Sequence, residues 1–429
     1  MITRRALLAT AAALPLRAAA LPLPSERQLR WHALETTAFL HFTINTFTDK
    51  EWGYGDEDPN LFQPAKFDPD AIVEPLVDAG MKGVILTCKH HDGFCLWPTK
   101  TTEHSIRATS WRGGKGDVVR DVAAAAHRKG LAFGVYLSPW DRNAASYGSP
   151  KYIEMYRAQL TELLTQYGPI FEVWHDGANG GDGFYGGARE KRTIDKRTYY
   201  DWPYTWSLVR KLQPGAVIFS DVGPDVRWVG NERGIAGDPC WATYDPVAAD
   251  GGPASPGDVR EKESPVGHRN GTHWLPAECD VSIRPGWFWH ARENARVKTP
   301  AQLIDLYYKS VGRGANLLLN VPPNRDGLLN SEDVASLKAF GQWRKATFGK
   351  PVAAGQPFNV IRLKEDIRKG QRIDGAVVEA FDGEWKELAK VTSVGPHKLV
   401  KLEKPATAQR LRVQAAAPAE LATFLDQGV

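Results

Sequence analysis

The chain has 429 residues, 42% hydrophobic and 24% charged, with 54 Lys and Arg against 50 Asp and Glu. That balance supplies ample apolar mass for a core and excludes a collagen-like, disulfide-framework or wholly disordered chain, as well as a membrane bundle. The net charge of +4 is small and its basic residues are scattered, so no nucleic-acid partner is expected.

Residues 1–20 place Arg4 and Arg5 before a short apolar run and small residues at Ala18 to Ala20. This three-part pattern predicts an export signal of twin-arginine type, too short to span a bilayer, and hence a periplasmic or secreted protein beginning near Leu21. Cys88, Cys95, Cys240 and Cys279 are too few and too unevenly spaced for a disulfide scaffold or a zinc ribbon. They read as buried small hydrophobes, with one Cys88–Cys95 bridge left open.

Short, nearly continuous apolar runs then alternate with amphipathic segments. The runs are Ala38–Phe42, Gly83–Thr87, Phe133–Leu137, Phe171–Trp174, Ala216–Ser220 and Asn316–Asn320. Such strands suit a parallel sheet covered on both faces. Helices open at Asp68-Pro69 and Thr299-Pro300, where a side-chain oxygen caps and proline occupies the first turn. No Gly-x-Gly-x-x-Gly follows the first strand, so the pattern predicts a (β/α)8 barrel over residues 21–349, with 221–296 unassigned. After a helix near 330–349, short alternating strands and an Asp382-Gly383 turn predict a small β-sandwich over 350–429.

Polar clusters follow the runs directly: His41, then Lys89-His90-His91-Asp92-Gly93, then Tyr136 to Trp140, then Trp174-His175-Asp176-Gly177. A barrel aims such strand ends into one pocket. The high aromatic content, with 15 Trp, 13 Tyr and 16 Phe, suits a half-polar ligand such as a sugar. Asp176 can serve as nucleophile, base or metal ligand. Adjacent histidines on extended backbone point to opposite faces, which argues against His90 and His91 sharing one ion. Glycoside cleavage needs a second carboxylate, for which Glu232, Glu278 and Glu51 are candidates.

Phe39-Leu-His41, Glu51-Trp52, His90 to Phe94, Trp174 to Gly177 and Asn231 to Gly234, in that order, resemble the α-L-fucosidases of glycoside hydrolase family 29. The resemblance implies a retaining, exo-acting hydrolase of terminal α-L-fucose on a (β/α)8-like barrel followed by a β-sandwich; no metal or cofactor is expected. It implies Asp176 as nucleophile and His41, Glu51, Trp52, His90, His91 and Tyr136 as sugar-binding residues. The 231–234 segment resembles the acid/base site of the α1,3/1,4-preferring subgroup, with Glu232 as the acid; Trp287 or Trp289, preferably Trp289, supplies an aromatic face. The implied partner is a fucosylated oligosaccharide or glycoconjugate, and the two carboxyls should lie roughly 5–5.5 Å apart. A metal-dependent barrel hydrolase and a non-catalytic carbohydrate-binding protein are the rival readings.

Overall fold

A computed structural model describes residues 21–429; residues 1–20, on which the expectation of an export signal falls, lie outside the described residues. Eight parallel strands close into a barrel: β1 (Thr36–Leu40), β2 (Gly83–Lys89), β3 (Ala132–Leu137), β4 (Glu172–Trp174), β5 (Val217–Ser220), β6 (Val226–Trp228), β7 (Ala277–Ser282) and β8 (Asn316–Asn320). Each strand neighbours the next in sequence, and β8 returns to β1 with Asn320 opposite Phe39. All six apolar runs are barrel strands; β6 and β7 are the two that lay in the unassigned stretch.

Six helices cover the outside: α2 (Pro69–Asp78), α3 (Val118–Arg128), α4 (Pro150–Gln166), α5 (Trp202–Leu212), α6 (Pro300–Lys309) and α7 (Ser331–Phe348). Asp68 accepts the Asp70 and Ala71 amides at 3.0 and 3.2 Å, and Thr299 with Gln302 forms a capping box, as their sequences require. Strands β5 and β6 are joined by residues 221–225, and 229–276 form loop, a 3₁₀ turn and a two-stranded ribbon. Here a buried arginine does what a helix does elsewhere. Arg227 donates to the carbonyls of Ser264 and Trp241 at 3.0 Å each, and to that of Leu275, fastening the long connection to the barrel wall.

A preceding helix, α1 (Glu26–His32), inserts Trp31 among the interior residues Phe39, Ile85, Tyr136, Trp174, Phe219 and Leu318. The Trp31 indole donates to Glu172 Oε2 at 3.0 Å, and the Trp174 indole to Glu278 Oε2 at 3.0 Å. Cys88, Cys95, Cys240 and Cys279 are all buried free thiols, so the Cys88–Cys95 bridge is not formed.

Beyond α7, two antiparallel three-stranded sheets follow. In one, β9 (Phe358–Glu365) lies between β12 (Lys398–Ala406) and β14 (Ala419–Phe424); in the other, β10 (Ala376–Asp382) lies between β11 (Glu384–Val391) and β13 (Arg410–Ala415). Phe358, Ile361, Leu363, Val378 and Val391 share a separate core. The alanine-rich β14 carries little strand signal of its own and is set by its ladder with β9. Asp426 joins this region to the barrel by accepting from the Trp343 indole of α7 at 2.8 Å.

Glu172 and Glu278 are fully buried, each with one oxygen on an indole N–H, and their like charges oppose each other's ionisation. Burial raises both carboxyls, that of Glu278 to about 7. The folded state therefore holds more protons than the unfolded chain above the ordinary glutamate pKa, and stability falls as pH rises from there through about 7. Glu278→Gln, which keeps an acceptor for Trp174 without the charge, is expected to flatten that decline in melting temperature; an unchanged slope refutes the assignment.

Candidate active site

The C-terminal rim of the barrel encloses a cavity of about 290 Å³. Of the residues singled out from sequence, Asp176, Glu232, His41, Glu51, Trp52, His90, His91 and Tyr136 line it. Asp176 follows β4 and accepts the Tyr136 hydroxyl at 2.9 Å and the Ala178 amide at 2.7 Å. Gly177 is needed beside it, since a Cβ there would sit 2.3 Å from Asp221 Oδ2. Burial and the Asp176 charge push the Tyr136 hydroxyl well above the usual tyrosine range, so it stays a donor.

The three candidates for the second carboxylate separate cleanly. Glu278 is sealed inside the barrel. Glu51 lines the cavity but is committed to the opposite loop, accepting the Trp287 amide at 2.8 Å, the Phe288 amide at 3.3 Å and facing His290 Nε2 at 2.6 Å. Glu232 reaches the cavity from the β6–β7 connection, and desolvation, then the Asp176 and Glu51 charges, raise its carboxyl above the ordinary glutamate range, although a Trp287 hydrogen bond opposes them.

His90 and His91 both line the cavity, with ring centroids 4.1 Å apart, contrary to the expectation of opposite faces. Strand β2 stops at Lys89, and the next residues turn: the Gly93 amide donates to the His90 carbonyl at 3.0 Å, with Gly93 at φ +84°. Strand alternation no longer applies there. The Ser138 hydroxyl donates to the Trp140 carbonyl at 2.7 Å and so accepts from His91 Nδ1 at 2.7 Å, leaving His91 Nε2 as an acceptor 3.9 Å from Asp176 Oδ2. Burial lowers His41 to about 3 and His91 to about 4, and His90 well below its usual value. The three rings are neutral at ordinary pH. Among the described residues, no group of three or more His, Cys, Asp or Glu side chains is arranged to hold a metal ion.

Trp52 stands at the mouth, half exposed, edge-on to His91 and Trp140. The expectation of Trp289 is corrected: Trp287 lines the cavity and Trp289 lies outside the lining. The segment bends after Ser282, and both main-chain groups of Trp287 are fastened at the rim, its amide to Glu51 and its carbonyl to Asn320 Nδ2 at 2.8 Å. Sequence reasoning also missed Asp221, Trp228, Asp280, Val259 and Glu261, which line the cavity too. All five fall in the unassigned stretch. Burial raises Asp221 to about 6, and Asp280, accepting the Trp228 indole at 2.7 Å, rises well above the carboxylate range.

The α-L-fucosidase family model matches residues 19–347. Alpha-L-fucosidase 1 of Arabidopsis thaliana is 42% identical, over 89% of this chain and 82% of the plant protein. A glycoside hydrolase family 29 structure from an unknown rumen bacterium superposes with a TM-score of 0.89 at 41% identity, covering 96% of this chain and 78% of that one. A Ruminococcus gnavus family 29 fucosidase in complex with fucose superposes with a TM-score of 0.79 at 28% identity, covering 95% of each chain. The match across the whole barrel, with a cavity rimmed by carboxylates, neutral histidines and aromatic rings, makes this chain a member of the α-L-fucosidases of glycoside hydrolase family 29.

Proposed function

We propose that the enzyme is a retaining exo-α-L-fucosidase with a preference for α1,3 and α1,4 linkages, using Asp176 as nucleophile and Glu232 as acid/base. The observation that carries this reading is that these two carboxyls, on separate elements, line one sugar-sized cavity. The donors on Asp176 hold its charge in place for attack on the anomeric carbon, while the raised Glu232 carboxyl suits proton donation to the departing oxygen. In the second half-reaction Glu232 takes a proton from water, which displaces Asp176. The lone pair of His91 Nε2 accepts from a sugar hydroxyl, and Trp287 and Phe39 form apolar walls. The linkage preference is supported by the Asn231–Gly234 motif on the connection that also brings Gly257, Val259 and Glu261 to the cavity.

With an aryl α-L-fucoside, Asp176→Gly is expected to lose turnover and to regain part of it with azide, releasing β-fucosyl azide. Glu232→Ala is expected to lose about 10²–10⁴-fold on unactivated glycosides, to be rescued by azide as the α-product, and to lack the alkaline limb of kcat/KM. That limb arises because the acid must be protonated, so the rate falls as pH rises through its pKa. Exchanged anomers would exchange the two roles, and loss of wild-type turnover on treatment with a chelator would favour a metal-dependent hydrolase.

Fucose release from α1,2-, α1,3-, α1,4- and α1,6-linked oligosaccharides is expected to be fastest for α1,3 and α1,4 isomers; equal rates on all four would remove the linkage assignment. We also propose export, supported by the Arg4-Arg5 pattern. Expression in a host with a twin-arginine pathway should yield extracytoplasmic protein whose first residue lies near Leu21, and retention of Met1 in the cytoplasm would contradict it.

A further inference from the structure

Asn320 ends β8, is fully buried, and has had no part in the chemistry assigned above. Its carboxamide spans the seam where the last strand meets the first. Oδ1 accepts the His41 main-chain N–H at 3.2 Å and lies 2.8 Å from His41 Nδ1. Nδ2 donates to Ser282 Oγ at 2.9 Å and to the Trp287 carbonyl at 2.8 Å.

Counting donors fixes both the amide orientation and the imidazole tautomer. Ser282 gives its hydroxyl proton to the Gly286 carbonyl at 2.7 Å, so its oxygen accepts from Nδ2. The Trp287 carbonyl can only accept, and the His41 main-chain N–H can only donate. Oδ1 therefore faces His41, whose Nδ1 carries the ring proton, and Nε2 keeps its lone pair. The ring itself packs against Phe39 at 4.5 Å and Trp287 at 5.1 Å between centroids.

We propose that Asn320 is a positioning residue for the fucose site: one carboxamide fixes His41 as a hydrogen-bond acceptor toward the sugar and holds the Trp287 wall against it. This rests on reading the cavity as the fucose subsite. The residue acts through His41 and Trp287 and touches no reacting atom.

Asn320→Asp retains an acceptor for His41, removes both donors and adds a negative charge. The titratable groups facing the ring are His90 and His91 beyond β2 and Tyr136 of β3. None of them is an anion, so the introduced aspartate should raise the His41 pKa. In ¹⁵N spectra the wild-type His41 is expected as the neutral Nδ1–H tautomer across about pH 5–8. In Asn320→Asp it should titrate within that window, with a new acid limb in kcat/KM at the same pH and about a tenfold loss.

Ser282→Ala removes one of the two acceptors of Nδ2 while the Trp287 carbonyl and the His41 main-chain N–H still orient the amide, so the Nδ1–H tautomer is expected to persist and KM to rise more than kcat falls. A wild-type His41 protonated on Nε2, an Asn320→Asp pH profile superimposable on the wild type, or a Ser282→Ala KM equal to that of the wild type, would overturn the proposal. If Asn320→Asp does not fold, the wild-type nitrogen shifts and the Ser282→Ala arm decide. The shifts are read without substrate, so an enzyme inactive on fucosides would defeat the functional reading and leave this test standing.

Discussion

Closure of the barrel between β1 and β8 is the constraint on which the site depends. The parallel ladder from Thr36–Leu317 to Phe39–Asn320 joins segments 281 positions apart, and it turns eight strand ends toward one rim. Several polar groups gathered there, His41, His90, His91 and Asn320 among them, are buried, and a buried polar atom without a partner is costly. The rim answers with shared partners: Asn320 serves His41, Ser282 and Trp287, Ser138 serves His91, and Tyr136 serves Asp176.

Electrostatics follows from the same enclosure. Asp176, Glu232, Asp221 and Asp280 all line one hollow, where several like charges cannot coexist cheaply. The structure distributes donors unevenly. Asp176 has a tyrosine hydroxyl and a backbone amide, whereas the carboxyls of Glu232, Asp221 and Asp280 are raised by burial. A carboxylate held by two donors beside carboxyls raised by burial is the arrangement that the proposed double displacement uses. Below the site, Glu172 and Glu278 repeat the principle in the barrel core, each anchored by an indole.

Much of this was legible in the chain. Six of eight strands announce themselves as nearly continuous apolar runs, since both of their faces are buried, and their ends carry His41, His90, Tyr136 and Asp176 in plain view. Strands β6 and β7 escaped because Arg227, Glu278 and Asp280 interrupt the apolar pattern. Arg227 fastens the covering loop, Glu278 anchors the Trp174 indole in the core and Asp280 faces the cavity, so each charge is there for a tertiary reason. The absence of a helix between them removed the alternation that located the others.

The sequence by itself determined the class of barrel, the caps that start α2 and α6, the aromatic and histidine content of the rim, and Asp176 at a strand end. Local periodicity and capping chemistry encode these features within a few residues. Only the tertiary structure decided that Glu51 and Glu232, but not Glu278, line the cavity with Asp176, which tryptophan walls it, and that His90 and His91 point the same way. Those outcomes depend on turns, on main-chain groups tied to side chains far along the chain, and on which carboxyls share a buried space; no residue's immediate neighbours in sequence carry that information.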